Sequence, residues 1–198
     1  MEKKHRNHNR ITKLTAALLM AVLVIITACG CTDSGAEKKT AEDLEAMRYV
    51  QLDGDTEKEI SSLLSDRGRE YFELFLAKAG EFEYEIIDSD KTGSGDAQAA
   101  KITVRIRTYD FAEEYLKTWT DFLEESASEK YDDAVLYEKL FKNLSSIKQK
   151  DYLADVVITC HTDAEGNWTT DAKSSPELLD AILGGMLGEI AGLAGTSK

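Results

Sequence analysis

Hydrophobic positions along this chain change their spacing several times, and each change marks a predicted element. An uncharged apolar run covers residues 14–28. A small polar stretch, GCTDSGAEKKT (30–40), follows it and predicts a flexible tether. Leu44, Met47 and Tyr49 or Val50 then recur at helical spacing, and DGD (53–55) ends that pattern. A longer helix is predicted over 57–79, with Ile60, Leu63, Leu64, Tyr71, Leu74 and Phe75 on its apolar stripe. Thr56 and Glu59 have capping-box spacing, Gly68 is a candidate break and Gly80 a stop. In EFEYEI (81–86) and KITVRIRTY (101–109) the period drops to two, which predicts half-buried antiparallel strands around a polar loop, DSDKTGSGDA. Two helices follow. One has Phe111, Tyr115, Trp119, Phe122 and Leu123 in line, capped by Asp110; the other has Ala134, Tyr137, Phe141, Leu144 and Ile147, capped by Ser128. ADVVITC (154–160) and WTTD (168–171) predict a second hairpin, and Ser174, Pro176 and Glu177 open a last apolar helix. The pattern predicts one α+β domain, residues 41–195, with an antiparallel sheet of about four strands packed with helices.

Charge alters the meaning of the first run. Residues 1–28 hold Lys3, Lys4, Arg6, Arg10 and Lys13 against Glu2. Of the chain's net −13, the part after Ala28 therefore holds −17. A basic start before a short apolar run is the layout of a secretory signal. An excess of acid that large repels nucleic acid and anionic lipid, so a nucleic-acid partner is not expected.

The run ends in Ile26, Thr27, Ala28 and Cys29, which resembles a bacterial lipobox: an aliphatic residue three before the cysteine, small residues beside it. The resemblance implies cleavage between Ala28 and Cys29 of a signal peptide (1–28). It also implies a diacylglyceryl group on the Cys29 sulfur with palmitate-type acyl chains. Residues 29–40 become a lipidated tether. The expected location is the outer face of a bacterial cytoplasmic membrane, with the outer membrane left open. Two rival readings remain. Residues 14–32 are free of charge for nineteen positions, close to the length of a membrane-spanning helix. Cys29 and Cys31 form a Cys-x-Cys pair, but a metal site needs three or four ligands, and Cys31 lacks the preceding large aliphatic residue of a lipobox.

Three local features carry a second resemblance: LDGD before a long amphipathic helix, AAKITVRIRTYDF running strand into helix, and DAEGNWTTD before an apolar helix. Together they look like the small bacterial lipoprotein domains with a nuclear-transport-factor-2-like (cystatin-like) roll. The resemblance implies a curved antiparallel sheet wrapping helices, sometimes around a pocket. It implies a binding or interaction domain without enzymatic activity. An envelope enzyme with a small-molecule pocket is the alternative, for which inward Tyr84, Tyr109, Asp110 and His161 would be the candidates.

The remaining chemistry is sparse. Asp88, Asp90, Thr92 and Gly93 match the opening of a calcium loop and Asp96 its ninth position, but Ala99 stands where the loop needs a bidentate glutamate. Cys160 and His161 are adjacent, so on a strand they point to opposite faces and cannot form a dyad. Gly184, Gly188 and Gly192 recur every four residues on the last helix, a spacing that lets helices approach closely and leaves a homodimer as an expectation. No catalytic residue, metal site or cofactor is assigned. Envelope proteins, small ligands and the membrane are the expected partners. The sequons at Asn143 and Asn167 are incidental in a bacterial setting.

Overall fold

A computed structural model describes residues 35–49, 60, 62–94, 97–126 and 133–195. The expected signal, the cleavage site, Cys31, the caps at Thr56 and Ser128, and Asp96 lie outside the described residues. The elements are α1 (Gly35–Met47), α2 (Asp66–Ala79), β1 (Glu83–Ser94), β2 (Ala97–Thr108), α3 (Phe111–Ser126), α4 (Asp133–Ser146), β3 (Tyr152–Thr162), β4 (Trp168–Thr170), a 3-10 turn (Ala172–Ser174), α5 (Pro176–Ile182) and α6 (Met186–Gly195). Among the described residues this is the expected α+β domain, with six α-helices and one antiparallel sheet in the order β1-β2-β3-β4.

Alternation decides which side of the sheet is covered. Ile102 pairs with Ile158, Val104 with Val156 and Ala100 with Cys160. Tyr84 pairs with Ile106 and Ile86 with Val104. These side chains share one face, against which α1 and α5 lay Ala36, Leu44, Leu178 and Ile182. Each fully buried aliphatic there contributes about 1.5–3 kcal/mol. The other face is open. On it Arg105 donates to both carboxylate oxygens of Asp155, at 2.7 and 2.9 Å, beside exposed Leu153 and Val157.

The strands of the first hairpin run further than their apolar alternation. In the segment expected as a loop, residues 88–94 and 97 are strand: Asp88 faces Thr103, Asp90 faces Lys101 and Thr92 faces Ala99. Pairing with β2 satisfies the backbone of these polar residues, and a bulge between Ile86 and Asp88 resets the phase. Asp88, Asp90 and Thr92 thus lie along an extended strand and do not curl around a cation.

A second core gathers beyond the end of β2, around Phe75, Tyr109, Phe111, Leu140, Leu144 and Met186 from the other helices. Here the expected stripes are rotated. The predicted helix 57–79 is interrupted: residues 60, 62 and 63 are helical, and α2 begins afresh after Ser65, whose hydroxyl accepts from the Gly68 N–H at 3.0 Å. Its inner face is Gly68, Phe72, Phe75 and Ala79, while Leu63 and Leu74 are exposed. In α4 the inner face is Leu136, Leu140 and Leu144.

Helix α1 begins inside the stretch assigned to the tether, because its first turns are buried rather than solvated. Thr40 and Asp43 lie under α1 with almost no exposure. Asp43 accepts from Thr170 at 2.7 Å and from Lys39 at 2.9 Å, with Lys173 at 3.4 Å. Burial opposes its ionisation, but Lys39, Thr170 and Lys173 together hold the carboxyl below its ordinary 3.8. A depressed folded-state pKa stabilises the fold above the unfolded value, and that contribution is lost as pH falls through the folded one. Asp43→Asn is therefore expected to cost about 1–3 kcal/mol at pH 7. The difference from wild type should shrink in urea titrations run below pH 3.8. A gap that stays constant across that range would refute this role.

The last helix is two. Gly184 and Gly185 adopt φ +56° and +78°, which ends α5 and turns the chain into α6. The start also moves by one residue: Ser175, not Ser174, accepts from the Leu178 N–H at 3.1 Å, with Pro176 in the first turn. Gly184, Gly188 and Gly192 therefore do not line one continuous helix.

Candidate functional site

The turn from β2 into α3 forms one wall of a surface groove. Asp110 ends the strand and accepts from the Glu113 N–H at 2.9 Å, capping α3. This places Asp110, Glu113, Glu114 and Lys117 along one wall. The segment between α4 and β3 supplies the other with Ile147, Lys148, Gln149 and Asp151. The groove between them measures about 340 Å³ and is open to solvent. Four carboxylates against two ammonium groups give it a net negative lining, suited to contact with cationic or hydrogen-bond-donating groups.

Tyr109 braces this groove from behind without lining it. Its hydroxyl donates to the Glu81 carboxylate, and Lys78 Nζ sits 4.1 Å from the ring centroid. Lys78 donates to the Ile147 carbonyl at 2.6 Å, and Lys150 donates to the Glu81 carbonyl at 2.7 Å and to Glu83 at 2.8 Å. These bonds tie the 147–151 segment to the end of α2 and to the start of β1. Burial, then the Glu81 hydrogen bond, pushes Tyr109 up to about 12, so it stays a neutral donor near pH 7.

The other candidates lie elsewhere. Tyr84 is half-buried on the covered sheet face near Arg48, whose guanidinium carbon is 4.9 Å from the Phe82 ring centroid and 5.7 Å from that of Tyr84. Burial, with Glu45 alongside, pushes Tyr84 up to about 12. His161 is exposed on the open face, while Cys160 is buried on the covered one. The Cys160 sulfur is 3.4 Å from Thr40 Oγ1, and burial raises its pKa, which disfavours the thiolate a nucleophile needs. The structure brings no two of Tyr84, Tyr109 and His161 together. Among the described residues no three His, Cys, Asp or Glu side chains are placed to hold a metal ion.

The sequence reading reached Asp110 but missed its partners across the groove. The cue present was the charged run Lys148–Asp151 directly after an apolar helix.

No protein-family model and no curated protein matches the chain. Among solved structures, a provisionally described lipoprotein (ycdA) from Bacillus subtilis is similar at 14% identity and a TM-score of 0.42. That overlap covers 74% of this chain and 55% of the other, so the chain spans about half of that protein's length. A likeness this loose carries no argument about role.

Proposed function

We propose that this protein is an extracytoplasmic lipoprotein, held to a bacterial membrane by a lipid on Cys29, whose α+β domain binds a ligand or an envelope partner. One observation carries the reading: a basic start and an apolar run end in Ile26-Thr27-Ala28-Cys29, six residues before the first described helix, α1, at Gly35. A cleaved lipid signal accounts for all three features together. No described helix is long and apolar enough to cross a membrane. The nuclear-transport-factor-2-like reading of the domain is part of the same proposal, and the four-stranded meander with α1 and α5 on one face supports it. Binding stands ahead of catalysis because the Tyr109–Glu81 pair lies behind the groove and outside its lining.

Cys29→Ala tests the anchor in bacterial cells. Wild type should appear in the membrane fraction with a diacylglyceryl thioether on an N-terminal cysteine by mass spectrometry, and the variant should lack that mass. A full-length, unlipidated wild-type chain would overturn the proposal.

A further inference from the structure

The point at which the chain enters the fold is fixed by packing. Gly35 opens α1 against the Trp168 indole at the start of β4, where an added Cβ would meet the ring nitrogen at 2.7 Å. The Asp43–Thr170 bond, and Thr40 against the Cys160 sulfur, hold the next two turns to the same edge of the sheet. The entry point cannot drift without breaking them. Five residues lie between Cys29 and Gly35, and the six steps that join them span at most about 20–22 Å, whatever path they take.

The sheet is longer than that reach. Trp168 pairs with Thr162 at the end of β3, and Tyr152 opens that strand ten residues earlier. At about 3.4 Å per residue the two ends of β3 are roughly 34 Å apart. Register places the β1–β2 tip at the Trp168 end, since Thr92 faces Ala99 and Ala99 faces His161. The acidic groove, with Asp110 and Asp151, lies at the Tyr152 end.

From this geometry we infer that the Trp168 end of the domain, including the tips of both hairpins, faces the lipid headgroups, and that the groove end stands away from them. The inference rests on lipid attachment at Cys29. The ring at the near end agrees with it. The near end offers a half-exposed indole, a ring favoured at bilayer interfaces; its charges, Lys38 and Lys91 with Glu37, Asp90, Asp163 and Glu165, hold the same carboxylate excess as the groove and do not set the orientation.

The chain has two tryptophans, Trp119 and Trp168, which suits depth measurement. Trp119 belongs to α3, stacked with Tyr115 in the helical part of the domain. The lipidated protein, cleaved to begin at Cys29, is placed in phosphatidylcholine vesicles that contain headgroup-spin-labelled phosphatidylcholine. Trp119→Phe leaves Trp168 as the reporter, and Trp168→Phe leaves Trp119. Emission of Trp168 should be quenched at least twofold more strongly than that of Trp119. Because Trp168→Phe alters the packing on Gly35, a second comparison uses fluorophores on Lys91→Cys and Lys148→Cys in a Cys31→Ser background. Lys91 should be the more quenched. Equal quenching in either pair, or the reverse order, overturns the orientation. Mass spectrometry of the same vesicles separates the two readings: a Cys29 without lipid sinks the anchor, whereas a lipidated Cys29 with equal quenching sinks only the orientation.

Discussion

Gly184→Ala is expected to destabilise the domain by about 2–5 kcal/mol, enough to threaten a fold whose total stability is of order 5–15 kcal/mol. Two costs combine. At φ +56° an alanine pays the left-handed penalty of about 1–2 kcal/mol. The new methyl group would also fall well inside the van der Waals radius of the Tyr109 carbonyl oxygen and 2.8 Å from the Phe111 nitrogen. Both of those atoms are backbone, so no side-chain rotation relieves the overlap. Relief requires α5 and α6 to move off the strand–helix junction, breaking the Ala112 N–H to Gly184 carbonyl bond of 3.3 Å. Gly192 is the control. It lies on α6 with no neighbour within 4 Å and no positive φ, so Gly192→Ala should be neutral or stabilise by up to about 1 kcal/mol. Urea denaturation of the two variants tests the pair. Equal effects would mean that the glycines serve a common helical stripe after all.

That contrast shows how far the sequence could be read. Glycines at 184, 188 and 192 have the spacing of a helix face, and nothing local says that one of them ends the helix. The decision comes from Tyr109 and Phe111, more than 70 positions away. The same limit explains the first hairpin. Ile102, Val104 and Ile106 announce their strand because burial on one side imposes alternation. Asp88 to Thr92 do not, since only the small polar Ser89 turns toward the covered face and the others are exposed, so pairing with β2 rather than alternation makes them a strand. The α+β class survived these local errors because it depends on the number and order of periodic segments rather than on their ends. The groove was hidden for a related reason. Residues 110–117 and 147–151 meet only once α3 and α4 pack, through contacts such as the 2.9 Å bond from Asn143 to Thr118. The tether was misjudged at Gly35 to Thr40 because Ala36 and Thr40 are small or polar, yet fully buried.

Phe111→Ala should be the most damaging side-chain truncation in the helical core, at about 3–5 kcal/mol. The ring is fully buried and meets Phe75 edge-to-face at 5.2 Å and Tyr109 at 5.7 Å. Phe75 continues to Phe141 at 5.7 Å, and Phe141 to Phe72 at 4.8 Å, so one aromatic chain joins α2, α3 and α4. Removing Phe111 leaves a cavity at the point where the sheet hands over to the helices, with rigid rings around it that collapse poorly. Phe111→Leu keeps most of the volume and should cost about 1.5 kcal/mol or less. Leu74 provides the sharper comparison, because spacing alone assigns it to the core of α2. In the structure it is 56% exposed, so Leu74→Ala should stay within about 0.5 kcal/mol of wild type. Trp119 fluorescence during urea unfolding reads the effect in the same region of the fold. A Leu74→Ala loss equal to that of Phe111→Ala would mean that α2 packs in the phase that begins at Thr56, and not in the one set by Ser65.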